Sequence, residues 1–131
     1  MGGFSTVGAG GGIQVFKTTR TTDFSTTSTT PVLVMSMTIT LNVKSNLLIL
    51  LQALVLYAYN YGGYHAIYLD GAEIRKVRNT AGVSCFAAIA VLATDVSPGS
   101  HTIEYYAWET NSLGTIYAYQ PIDLIAIAIP A

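Results

Sequence analysis

The sequence predicts an all-β fold: an antiparallel β-sandwich of jelly-roll type with about eight or nine strands and an extended N-terminal arm. Three observations carry this reading. Apolar and polar residues alternate with a period of two over much of the chain, no segment holds a helical period, and turn residues recur at the roughly 8–12-residue spacing of a sandwich. At 131 residues the chain has the size of one domain built on one core.

Residues 1–30 differ in composition from the remainder and read as the arm, leaving residues 31–131 as the sandwich. "MGGFSTVGAGGG" is Gly-rich and flexible when free, whereas "TTRTTDFSTTSTT" is rich in Thr, a good strand former. Between them "IQVFKT" alternates and reads as one short strand. Phe4, Ile13, Val15 and Phe16 are expected to anchor the arm on a neighbouring subunit.

From Pro31 onward every segment reads as strand. "PVLVMSMTITL" places Leu33, Met35, Met37, Ile39 and Leu41 on one face and Ser36, Thr38 and Thr40 on the other, the pattern of a half-buried antiparallel strand. "YHAIYLDGAEIRKVR" has Asp70-Gly71 between two short runs, a two-residue hairpin signal. Its second half carries Glu73, Arg75, Lys76 and Arg78, and such a concentration of charge suits an edge strand protected against unwanted pairing. "SPGS" at 97–100 is a tight turn between "VSCFAAIAVLA" and "HTIEYYAWE", after which "LGTIYAY" and "PIDLIAIAI" complete the set.

"SNLLILLQALVLYAYN", residues 45–60, departs from simple alternation. Leu47, Ile49, Leu51, Ala53 and Val55 form one face, yet Leu48, Leu50, Leu54 and Leu56 on the other are equally apolar, with Gln52 the one polar group among them. The 83–93 and 122–129 segments behave likewise, the latter setting Ile122 and Leu124 against Ile125, Ile127 and Ile129. The outer faces of a lone sandwich meet water and should alternate to polar residues. Leu48, Leu50, Leu54, Leu56, Ile125, Ile127 and Ile129 are therefore expected to be covered by another subunit, with cover by the N-terminal arm or loops of the same chain as the alternative.

Composition supports this expectation. Charged residues make up 10% of the chain, against roughly 25% in an ordinary soluble domain, so the chain has few charges with which to dress its own surface. A net charge of −1 lacks the cationic surplus that phosphate binding requires, which argues against nucleic acid as a partner. The longest apolar run, Leu47 to Ala58, is shorter than the ~18–20 residues of a spanning helix. No signal-peptide pattern is visible, and Met1–Thr6 matches only the short, weakly specific myristoylation pattern.

No constellation of catalytic or metal-binding residues emerges, so no enzyme activity and no cofactor are expected. His65 and His101 lie at strand starts without a ligand-spaced neighbour, and read as partly exposed strand residues. Cys85 sits among apolar residues, which raise a thiol pKa and oppose a nucleophilic pairing with His101. Asp70 and Asp95 read as turn residues, and the other carboxylates are scattered. "GAGGG" lacks the Lys-Ser/Thr and helix of a phosphate loop. What stands out is aromatic: Tyr57, Tyr59 and Tyr61 share one face, Tyr106 and Trp108 a second, and Tyr117 and Tyr119 a third. Such rows serve as protein interfaces or as sugar-binding platforms.

"DVSPGSHTIEYYAW", "LGTIYAY", "IDLIAIAI" and "AIYLDG", across roughly residues 45–129, resemble small jelly-roll structural proteins of tailed phages and archaeal viruses. The resemblance implies a capsid, decoration, fibre or tail module, commonly a trimer, with no catalytic residues. The expectation is a self-assembling, non-enzymatic homo-oligomer, located in the virion after assembly in a host cytoplasm. Two alternatives stay open: a cell-surface filament subunit in which residues 12–18 complete a neighbour's sheet, and a carbohydrate-binding sandwich that uses the Tyr rows.

Overall fold

The computed structural model describes residues 4–6, 12–82 and 84–131, with backbone alone at 4–6 and 84–87. Met1, Gly2 and Gly3 of the myristoylation pattern and the Cys85 side chain lie outside the described residues. Among these residues there is no helix and there are ten strands: β1 (Phe4–Thr6), β2 (Gln14–Arg20), β3 (Phe24–Thr26), β4 (Val32–Leu41), β5 (Ser45–Tyr59), β6 (Gly63–Leu69), β7 (Ala72–Asn79), β8 (Ser84–Val96), β9 (Gly99–Glu109) and β10 (Thr115–Pro130). They form two antiparallel sheets packed as a sandwich. One has the order β1-β2-β10-β5-β8 with β3 also on β10, and the other has the order β4-β9-β6-β7.

The topology follows from nesting. β6 pairs with β7, β5 with β8, β4 with β9 and β2 with β10, so each strand finds the one that mirrors it about the Asp70-Gly71 turn. The chain is one long hairpin wrapped into two sheets, the jelly-roll arrangement that the sequence predicts. Asp70 and Gly71 have φ of 51° and 84°, the left-handed pair that a two-residue hairpin turn requires. β2, within the stretch read as an arm, pairs with β10 from Arg20↔Ile122 to Gln14↔Ala128.

Between the sheets lies a single core of Leu47, Ile49, Leu51, Ile122 and Leu124 from one side and Ile39, Ile67, Ile103 and Tyr105 from the other, all almost wholly buried. Register shifts mark the middle of the six-stranded sheet, and the one in β5 changes which residues reach the core. The register of β5 against β8 shifts between Ala53 and Leu56, and that of β10 against β5 shifts between Tyr119 and Ile122. A one-residue shift moves every following side chain to the opposite face. Leu56, expected on the outer face, is for this reason in the core with 2% exposure. Phe16, expected to reach a neighbouring subunit, is buried in this chain's own core because β2 belongs to the six-stranded sheet.

Candidate assembly and recognition surfaces

The strand registers place the outer residues of the six-stranded sheet in rows across it. Val15, Ile127, Leu48 and Leu92 form one row, and Lys17, Ile125, Leu50 and Ala90 form the next. A polar waist of Thr19, Asp123, Gln52 and Ala88 follows, where the Thr19 hydroxyl donates to Asp123 at 2.5 Å and Lys17 stands 3.9 Å from the same carboxylate. Beyond the bulges the face turns aromatic. Tyr57 and Tyr117 are paired across the strands with ring centroids 5.9 Å apart, and Tyr117 stacks on Tyr119 at 5.6 Å.

Most of the expected interface residues lie on this face. Leu48, Leu50, Ile125 and Ile127 are half-buried, while Leu54 and Ile129 keep 53% and 43% of their surface. Leu92, which sequence reading did not single out as an interface residue, keeps 56%. Of the expected arm anchors, Val15 is half-buried in the first row, Ile13 is exposed, and the side chain of Phe4 lies outside the described residues. Tyr59 and Tyr61 are exposed at the end of β5 and in the turn after it.

The outer face of the four-stranded sheet has a different chemistry. Tyr64 is in register with Trp108, and Tyr106 with Ala66, which places four rings along the β6–β9 ladder. Tyr64 and Trp108 lie with centroids 5.4 Å apart, and Tyr68 and Tyr106 with centroids 4.7 Å apart. Lys76 on the edge strand sits over the Tyr64 ring at 4.9 Å, a cation–π contact, and the Tyr106 hydroxyl donates to Glu104 at 3.2 Å. Burial and the neighbouring carboxylates push the Tyr68 and Tyr106 hydroxyls above their ordinary pKa. Tyr106 and Trp108 share this face as expected, but Tyr64 and Tyr68 were not singled out. Nothing in their spacing reveals that β6 lies beside β9.

Two histidines hold this sheet together in ways the sequence did not show. His65, expected to be partly exposed, is fully buried, with its Nδ1 2.6 Å from the Tyr105 hydroxyl. Burial lowers its pKa to about 4, against the opposing pull of the Asn79 side chain. His101 sits where the two turns meet. Its Nδ1 is 2.6 Å from Asp70 Oδ2 and its Nε2 is 2.7 Å from the Ser97 carbonyl. The hydrogen bond to Asp70 raises the His101 pKa, burial partly opposes it, and the Ser97 carbonyl adds to the rise. Asp70 also accepts from the Thr102 amide at 2.9 Å. Glu109 is buried as well, with Oε1 accepting from the Thr110 amide at 3.0 Å and burial raising its carboxyl pKa.

No family model and no curated protein matches this chain. Solved structures do. A chain in the structure of the infectious bursal disease virus Gx strain superposes with a TM-score of 0.53 at 15% identity, covering 89% of this chain and 32% of that one. A chain of the infectious bursal disease virus VP2 subviral particle gives a TM-score of 0.48 at 15% identity, covering 91% and 37%. The likeness is one of fold. This chain spans about a third of the length of these two chains.

Proposed function

We propose that this chain is a non-enzymatic structural protein of a virus particle, self-assembling through the outer face of its six-stranded sheet, with a closed trimer as the favoured unit. The observation that carries this reading is the pair of aliphatic rows led by Val15–Ile127–Leu48–Leu92, in which Lys17, paired with Asp123 of the polar waist, is the one charged residue. A near-neutral patch does not repel its own copy, so a second and third protomer are suitable partners. The fold it shares with a chain of a virus structure supports the same reading.

Magnitudes set what the contact must include. Complete burial of a Leu or Ile contributes about 1.5–3 kcal/mol, so side chains already half covered contribute about 1 kcal/mol each. Leu48, Leu50, Leu54, Leu92, Ile125, Ile127 and Ile129 then reach only the lower part of the ~4–15 kcal/mol cost of association. The contact therefore extends to the aromatic end at Tyr57, Tyr117 and Tyr119, or to the exposed Ile13 beside β2.

Light scattering coupled to size exclusion tests this directly. The expected mass is that of three protomers, and the double variant Leu50→Ser, Leu54→Ser is expected to run as a folded monomer. A monomeric wild-type chain would overturn the reading. A polydisperse mass seen as regular filaments in electron micrographs would favour the filament subunit instead.

A further inference from the structure

The geometry points to a ligand site on the opposite side of the molecule: a platform for an acidic oligosaccharide, formed by Tyr64, Trp108, Tyr106 and Tyr68 with Lys76 and Arg78 at one end. It goes beyond the assembly reading and does not rest on it, because the two surfaces belong to different sheets.

The rings come first. All four are half-buried and held in two contacting pairs, and Ala66 between them is fully buried. They are ordered before any ligand arrives, which lowers the entropic cost of binding. From Tyr64 to Tyr68 the platform runs about 13 Å along the strand, long enough for a short oligosaccharide. A pyranose ring presents C–H groups on its face and hydroxyls around its equator. It therefore matches a surface that is aromatic in the middle and polar at the rim.

The rim selects the kind of sugar, because its charge is segregated. Arg78 is in register with Tyr64 and Lys76 with Ala66, whereas Glu73 and Glu104 both flank Tyr68. The Tyr64–Trp108 end is cationic and the Tyr68–Tyr106 end anionic. A sugar carboxylate would be held by Arg78 and Lys76 through charge-assisted hydrogen bonds, while neutral sugar hydroxyls would donate to Glu104 and Glu73. A nucleic acid, with a phosphate at every residue, would set negative charge against those two glutamates. An apolar protein surface would strip water from all four charges without pairing them.

Trp108 is the only tryptophan in the chain, so its fluorescence reports on this platform alone. The experiment titrates the full chain with sialyllactose and with a hexuronate oligosaccharide, using lactose as the neutral comparison. At least one acidic sugar is expected to change Trp108 emission saturably at concentrations up to about 10 mM, with lactose at least 10-fold weaker. Lys76→Gln and Arg78→Gln, surface changes that leave the rings in place, should each weaken binding about 5- to 10-fold. Tyr64→Ala should abolish it, with circular dichroism confirming the fold.

The proposal is overturned by the absence of saturable change with either acidic sugar, by equal binding of lactose, or by an unchanged response in both cation variants. If dilution of the oligomer shifts Trp108 emission while both sugars leave it unmoved, the platform is a protein interface and the proposal falls. The oligomer mass is measured separately, so a failure here leaves the assembly reading as it stands, and the reverse also holds.

Discussion

The two outer faces of this sandwich are built on strands of the same kind and carry opposite chemistry. On the six-stranded sheet, rows of Val, Leu and Ile meet one ion pair, Lys17–Asp123. On the four-stranded sheet, Ser36, Thr38, Thr40 and Thr102 share the surface with four aromatic rings and the charges of β7 and Glu104. An inner face must be apolar for the core to form, so it cannot distinguish the sheets. An outer face is free of that demand, and what it carries reflects what it meets. The aliphatic face is suited to exclude water against protein, and the aromatic, charged face to remain hydrated and select a polar ligand.

A charge introduced on each outer face breaks or confirms this contrast with the largest expected effect. Leu48→Glu places a carboxylate in the middle of the aliphatic row, where association would bury it without a partner at a cost of about 3–5 kcal/mol per copy. Thr38→Glu adds the same charge to the exposed outer side of β4. The first is expected to run as a monomer in light scattering and the second to keep the wild-type mass. Equal behaviour of the two variants would remove the contrast.

This difference was half legible in the sequence. Period-two alternation gives the strands, and Asp70-Gly71 gives the centre of the nested hairpin, because both depend on residues adjacent in the chain. The apolar outer side of β5 is visible for the same reason. Leu56 changes sides because a bulge against β8 resets the phase, and a bulge depends on the partner strand rather than on local sequence. Tyr64 faces Trp108, and His65 meets Tyr105, across forty-odd residues that only the β6–β9 register brings together. Pairing of this kind carries no local signal, and the recognition surface therefore had to await the fold.

The contrast extends inward, since both histidines lie on the four-stranded sheet and acid should act there first. His65 titrates near 6.5 in the unfolded chain and at about 4 when folded. Between these values the unfolded state binds the extra proton, so stability falls as pH falls, by roughly 3 kcal/mol in total. Glu109 opposes this, because its raised pKa leaves the folded state holding a proton that the unfolded chain has released. Urea unfolding of Glu109→Gln should therefore show the histidine slope most clearly, and His65→Gln in that background should flatten it. The mass of the folded protein should stay constant over the same range. A mass that changes with the slope would mean that the two faces are coupled.

The smallest effect expected comes from His101, and it has the opposite sign. With Asp70 Oδ2 at one ring nitrogen and the Ser97 carbonyl at the other, both nitrogens face acceptors, so the arrangement is complete only when the ring carries both protons. Burial pushes Asp70 up, but the hydrogen bonds from His101 and Thr102 outweigh it and hold the carboxyl below its ordinary value. The His101 contribution is present below its unfolded pKa of 6.5 and is lost as pH rises through the raised folded value. The Asp70 contribution is present above 3.8 and is lost as pH falls through the lowered folded value. Both are in force between 3.8 and 6.5, where the clamp ties the β6–β7 turn to the turn before β9. The Asp70 side chain is 49% exposed, so solvent screening limits the gain to a few tenths to about 1 kcal/mol. His101→Gln should lower stability by that amount near pH 5.5 and by less near pH 9, because the contribution is lost as pH rises through the raised folded value. A penalty equal at both pH values would show that the residue acts through packing, and that the charge on this ring contributes nothing to the four-stranded sheet.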